Sequence, residues 1–184
     1  MDQGNSVVSY DAGQVVVAGN LYDPNSSHLY DFGQLLYAQI NAQANPVHTT
    51  LVGTDISGSD ASLITVDSDY LVIQQEQTHG EPVVVQFDGN VGTGGVSELS
   101  FHLVMYADTP WPAGQRILFY NWSISAYQFV DQITPSGSDQ LRIATTRGDP
   151  SPYIDANGNV KAQIIVNYPR SYVHINQAVW KALP

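Results

Sequence analysis

Residues 98–106 read E-L-S-F-H-L-V-M-Y, and their alternation decides the fold. Leu99, Phe101, Leu103 and Met105 share one parity and are apolar. The other parity holds Ser100, His102 and Tyr106, with Val104 as the exception. Side chains of an extended chain point alternately to its two faces, so a period of two marks a half-buried strand. Working outward, residues 115–121 and 127–131 enclose Trp122-Ser123-Ile124-Ser125-Ala126, which reads as a hairpin. Residues 160–168 alternate Val160, Ala162, Ile164, Val166 and Tyr168 with Lys161, Gln163 and Asn167. Pro169-Arg170 then turns the chain into a last strand over 171–180.

Upstream, short apolar runs again end at turn residues. Residues 14–18 (Q-V-V-V-A) stop at Gly19-Asn20, and residues 82–87 stop at Asp88-Gly89-Asn90. Residues 34–40 are a further run, and 89–95 form a Gly-rich loop. Residues 62–66 and 70–74 flank Asp67-Ser68-Asp69, which reads as a hairpin turn. Residues 140–144 add a short strand. Only residues 29–42 hint at a helical period, and Gly33 interrupts it. The pattern predicts an all-β protein: an antiparallel β-sandwich of jelly-roll type with about ten strands. Residues 1–10 are expected to be a flexible N-terminal tail, and 11–184 one domain.

Composition agrees. Twenty Val and eleven Tyr suit strands. Fourteen of the 17 acids are Asp, a turn former, and only Glu76, Glu81 and Glu98 are Glu. Most of these Asp fall at turns, so the net charge of −11 is largely a by-product of many loops. Six Lys and Arg against 17 acids argue against nucleic acid and against an anionic membrane surface. Charged residues make up 12% of the chain, while Asn, Gln, Ser and Thr are abundant. There is no cysteine, hence no disulfide and no thiolate metal site. The start lacks the basic and apolar runs of a signal peptide, and no apolar run reaches membrane-spanning length. The expectation is an excised module of a secreted or cell-surface protein, one part of a larger multidomain chain.

The closing stretch V-H-I-N-Q-A-V-W (173–180) resembles the last strand of galactose-binding-like jelly-roll carbohydrate-binding modules. Residues 98–106, 115–122 and 127–130 resemble the middle section of the same modules. The likeness is to C-terminal β-sandwich modules of large extracellular bacterial proteins of planctomycete type, and it spans about residues 60–180. It implies a jelly roll that binds sugar. Such modules often carry Asp in the last strand that can bind a structural Ca²⁺; here Asn176 and Gln177 stand instead. Neutral amides are weaker Ca²⁺ ligands than carboxylates. Asn20 and Asp23, after an early strand, together with Asn176 are the candidate metal ligands.

Sugar rings stack their C–H faces on aromatic planes, so aromatics are the candidate ligand residues. Trp111 lies between Pro110 and Pro112, which restrain its loop; it is a binding platform or a plug for one end of the sandwich. Trp122 and Tyr127 flank a turn and form either a platform or a cross-strand stabilising pair. Tyr153 is a loop aromatic. Trp180 shares parity with His174 and Asn176 and is expected to face outward unless a bulge near Gln177 reverses it. The Asp155-x-Asn157-Gly158-Asn159 run lacks the later Glu of a Ca²⁺ loop and reads as a turn.

None of the five histidines forms a metal-binding spacing, and no nucleophile or phosphate-binding motif occurs. Glu76 and Glu81 are the least implausible acid pair for a glycosidase. The leading expectation is therefore a non-catalytic, carbohydrate-binding module that requires no cofactor, with structural Ca²⁺ an option. Its partner would be a polysaccharide or oligosaccharide. The alternatives are an adhesion or assembly β-sandwich that binds protein, and a hydrolase acting on polysaccharide.

Overall fold

The computed structural model describes residues 7–11, 14–18, 21–22, 29–30, 37–39, 42–44, 46–76, 81–107, 114–134, 136–167 and 172–183. Contacts divide the chain into two units, Met1–Asn41 and Ala42–Ala182. In the first, β1 (Val7–Asp11) pairs with β2 (Gln14–Ala18), and β3 (Leu21–Tyr22) with β4 (Leu29–Tyr30). β5 (Tyr37–Gln39) adds to β2. The division therefore falls near residue 41, and β1 runs across the expected end of a tail at residue 10.

The second unit is an antiparallel β-sandwich of jelly-roll type. Its strands are β6 (Ala42–Ala44), β7 (Val47–Val52), β8 (Thr54–Ser57), β9 (Leu71–Gln74), β10 (Val83–Asn90), β11 (Glu98–Ala107), β12 (Gln115–Asn121), β13 (Ala126–Ile133), β14 (Gln140–Thr145), β15 (Asn159–Val166) and β16 (Tyr172–Leu183). A five-stranded sheet has the order β13-β12-β15-β10-β7. A six-stranded sheet has the order β14-β11-β16-β9-β8, with β6 also paired to β16. No described helix is long and apolar enough to cross a membrane.

The parity read from 98–106 holds. Leu99, Phe101, Leu103 and Met105 are buried in the core, while His102 and Tyr106 are half-exposed on the outer face. The facing sheet supplies Val83, Val85, Phe87, Ile117, Phe119, Val160, Ala162 and Ile164, each without solvent exposure. Burying one such side chain contributes about 1.5–3 kcal/mol, which fixes the register of both sheets.

Two local expectations are corrected. Residues 62–66 do not form a strand: Asp60–Leu63 is a 3₁₀ turn. Ser59 Oγ accepts from Ala61 N–H, and Ser62 Oγ accepts from Ser59 N–H, so serine side chains satisfy the backbone at the turn's start. Leu63 drops into the core at its end. Trp180 does not face outward; it is fully buried. In β16 the inward residues are Val173 and Ile175, then Ala178, Trp180 and Ala182. The alternation slips by one residue at Asn176–Gln177, as an extra residue in a strand causes. The Trp180 ring lies 5.0 Å from Phe101 and 4.8 Å from Phe119, between the two sheets.

The slip coincides with a change of neighbour. β16 pairs with β9 over Tyr172–Ile175 and with β6 over Trp180–Ala182. Between them the Asn176 side chain takes the place of a strand partner. Its Oδ1 accepts from Asp67 N–H (2.9 Å), and its Nδ2 donates to Asp67 O (2.9 Å) and to Asp139 Oδ2 (2.8 Å). Gln177 Nε2 donates to Ile64 O (3.1 Å). The two amides staple residues 64–67 to the last strand.

Candidate functional site

The candidate site lies on the outer face of the five-stranded sheet. β12 and β13 pair with Tyr120 opposite Tyr127. Phe119, between Tyr120 and Leu118, points inward and is fully buried, so Tyr120 points outward. The Tyr120 ring is 5.1 Å from Tyr127 and 4.9 Å from Trp122, edge-to-face in both cases. Such geometry is favourable for aromatic pairs. The turn that follows reverses the chain with Ser125 at φ 53°, and Trp122 N–H donates to Pro152 O (2.8 Å). All three rings are half-buried.

The expected pair of Trp122 and Tyr127 is thus bridged by a third ring. Tyr120 was legible in the sequence: it lies two residues from Trp122 in an extended run and therefore on the same face.

Polar groups adjoin the rings. The Tyr127 hydroxyl donates to Gln86 Oε1 (2.7 Å), and Gln86 Nε2 donates to Asp88 Oδ2 (2.7 Å). These two bonds fix the orientation of the Gln86 amide. Burial, and next the Asp88 charge, push the Tyr127 hydroxyl up to about 12, so it stays a donor at neutral pH. Lys161 Nζ stands 3.4 Å from Asp88 Oδ1 and 5.5 Å from the Trp122 ring centre. At 3.4 Å the ammonium supplies charge but no full hydrogen bond, and Asp88 Oδ1 has no hydrogen-bond partner among the described residues. Trp122 Nε1 likewise has none. Both of these atoms are buried, so the face combines three ring surfaces with a fixed amide, an ammonium and a hydroxyl.

The remaining candidates are placed elsewhere or not described. Trp111, Asn20 and Asp23 lie outside the described residues. Tyr153 sits in the 3₁₀ turn Ser151–Tyr153, with its hydroxyl donating to Gln128 Oε1 (2.9 Å) and its ring packed edge-on to core Phe119. It supports the turn end of the β12–β13 hairpin. Trp180, with no exposed surface, offers no stacking platform. Asn176 is 1% exposed and its amide is engaged by Asp67 and Asp139. Asp155 closes its turn as the sequence implied: Oδ1 accepts from Asn157 N–H and Asn159 N–H, both at 2.8 Å, around Gly158 at φ 83°.

One polar constellation escaped sequence reasoning. His48 Nδ1 lies 2.5 Å from Asp60 Oδ1, and its Nε2 lies 3.3 Å from Asp55 Oδ2. Thr50 Oγ1 donates to Asp55 Oδ1 (2.5 Å). The group ties the β7–β8 hairpin to the turn at Asp60. Among the described residues no set of three His, Cys, Asp or Glu is arranged to hold a metal.

No known protein family matches this sequence, and no curated protein matches it either. Solved structures similar to this chain include a family 29 carbohydrate-binding module at 14% identity and a TM-score of 0.43, covering 74% of this chain and 88% of that one. A mutant of CBM29-2 complexed with mannohexaose is similar at 13% identity and a TM-score of 0.42, covering 74% and 92%. TmCBM61 in complex with β-1,4-galactotriose is similar at 6% identity and a TM-score of 0.45, covering 73% and 86%.

Proposed function

We propose that this chain is a non-catalytic binding module for polysaccharide or oligosaccharide, engaged through Tyr120, Trp122 and Tyr127. One observation carries the reading: three contiguous, half-buried rings on a sheet face adjoin hydrogen-bonding groups of both senses. Rings supply apolar area at low entropic cost because they are already packed against one another. Lys161, whose side chain is 33% exposed beside Asp88, donates to ligand oxygens. The low share of charged residues, 12%, suits a neutral, hydroxyl-rich ligand. The module belongs, in this reading, to an extracellular protein and needs no cofactor.

Affinity gel electrophoresis over galactomannan, hydroxyethylcellulose, xylan and soluble starch tests the proposal. Retardation by at least one, weakened about tenfold or more in Trp122→Ala, supports it. Unchanged retardation in Trp122→Ala and Tyr120→Ala would sink it.

A second reading, a protein-binding β-sandwich, draws on exposed apolar side chains: Phe129 on β13 is 60% exposed, and Leu141 on β14 is 59% exposed. Light scattering of Phe129→Ser beside the parent tests it. A parent that is monomeric at every concentration, like the variant, argues against self-assembly through this edge.

A further inference from the structure

The outer face of the opposite sheet carries an aromatic patch of its own. Tyr106 on β11 and His174 on β16 stack with centroids 4.2 Å apart and planes 5° from parallel. Tyr70 closes edge-on against both, at 5.7 Å and 6.0 Å. Tyr172 stands 6.2 Å from His174. All four rings are half-buried. Their strand neighbours Met105, Leu71 and Val173 point into the core, so the patch faces away from the Tyr120–Trp122–Tyr127 face across the sandwich.

Cross-strand ring packing alone would stabilise the sheet. A second feature points beyond that, toward a ligand. Asp139, exposed in the approach to β14, is held at the rim of the patch by two donors. The Tyr70 hydroxyl donates to its Oδ2 (3.0 Å), and so does Asn176 Nδ2 (2.8 Å). Asn176 is 1% exposed, so a buried amide anchors a surface carboxylate. One carboxylate oxygen is thereby saturated, while Oδ1 faces no described donor. The Tyr70 hydroxyl is pushed up from its ordinary value, chiefly by its bond to Asp139, and remains protonated. A rigid ring patch beside a fixed acceptor is the chemistry that recognises ligand hydroxyls, and the carboxylate repels an anionic sugar.

We infer that Tyr70, Tyr106, Tyr172, His174 and Asp139 form a second saccharide-binding face for a neutral glycan, making the module bivalent. The inference rests on the saccharide reading of the Trp122 face. Two patches on opposite faces cannot share one short oligosaccharide. They hold two chains, or two segments of one long chain, and cross-link a polysaccharide in solution.

The experiment pairs affinity electrophoresis with turbidity, using the four neutral polysaccharides named above. The variants are Trp122→Ala, Tyr106→Ala, Asp139→Ala and the double variant Trp122→Ala/Tyr106→Ala. Asp139 is itself exposed, and without it Asn176 Nδ2 keeps its bond to Asp67 O, so a thermal melt of Asp139→Ala beside the parent confirms that the variant is folded. The expected result is that the parent is retarded and makes a polysaccharide solution turbid. Each single variant remains retarded but more weakly, by about tenfold or more in Trp122→Ala, and no longer raises turbidity. The double variant is not retarded. If Trp122→Ala abolishes retardation while Tyr106→Ala and Asp139→Ala leave retardation and turbidity unchanged, the second face is refuted and the first reading stands. If Tyr106→Ala abolishes retardation and Trp122→Ala has no effect, the first face and bivalency both fall. A parent retarded by none of the four overturns both.

Discussion

Replacing Asn176 by Asp inverts one buried contact and leaves its shape nearly unchanged. The introduced carboxylate still accepts from Asp67 N–H, but it loses both donations, to Asp67 O and to Asp139 Oδ2. Each lost bond costs about 0.5–1.5 kcal/mol net, more where the acceptor stays buried. The new carboxylate also faces Asp139 across a 2.8 Å contact at a position 1% exposed. At an effective dielectric constant of about 20 that repulsion is on the order of 6 kcal/mol. Protonating the introduced acid is the escape. From an unfolded value of about 3.9, protonation at pH 7 costs about 4 kcal/mol, which caps the electrostatic penalty.

Asn176→Asp is therefore expected to destabilise by about 4–5 kcal/mol at pH 7 and by only about 1–2 kcal/mol near pH 4. The sign follows from linkage. Burial and Asp139 raise the folded-state value of the introduced acid above its unfolded value. Its stability contribution is thus fully present below about pH 3.9 and is lost as pH rises toward the folded value. Urea unfolding followed by tryptophan emission, at pH 4.5 and 7, with chelator and then with added Ca²⁺, measures this. Parental stability at pH 7, or rescue of the variant by Ca²⁺, would refute the staple and make position 176 a metal ligand.

Four further outcomes are expected. Trp180→Phe costs about 1–2 kcal/mol and Trp180→Ala about 3–5 kcal/mol, because the ring fills the core but its Nε1 has no described partner; thermal melts separate them, and equal losses would show that the indole N–H is bonded. Gln115 is fully buried with both amide atoms unpartnered among the described residues, so Gln115→Met raises stability by about 1–2 kcal/mol in urea unfolding. A loss of stability there would show that the amide is satisfied. Arg142 Nε donates to Asp131 and holds its carboxyl below the usual range, so the pair's stability is present above about pH 3.9 and lost as pH falls through the lowered value. With Arg142 42% exposed the pair contributes only about 0.5–1 kcal/mol, and Asp131→Asn should flatten the acid limb of stability against pH by that amount.

The sandwich was legible because its signal is local and repeated. Leu99, Phe101, Leu103 and Met105 carry it in β11, and Val160, Ala162 and Ile164 carry it in β15. Where alternation breaks, the reading breaks with it. Parity alone places Trp180 outward and a bulge near Gln177 places it inward; the slip at Asn176–Gln177 decides for the inward face, and it depends on a change of partner from β9 to β6, both distant in the chain. Residues 62–66 are apolar enough for a strand, yet serine capping and the anchoring of Leu63 make them a turn.

The candidate site was half visible. Trp122 and Tyr127 were identified from their places around a hairpin, and Tyr120 could have been found by parity. Gln86, Asp88 and Lys161 could not, because only the sheet order β12-β15-β10 brings them beside the rings. The Tyr70–Tyr106–His174 cluster has the same origin, in three segments joined by tertiary pairing.

The central claim is that a glycan stacks on Trp122. Intrinsic fluorescence during titration with the polysaccharide that retards the protein tests it most directly. Trp180 is sealed in the core, so in Trp111→Phe only Trp122 remains to report a ligand. The account predicts an emission shift in Trp111→Phe as large as in the parent, and none in Trp122→Phe. A shift lost in Trp111→Phe and kept in Trp122→Phe would contradict it and move the platform to Trp111.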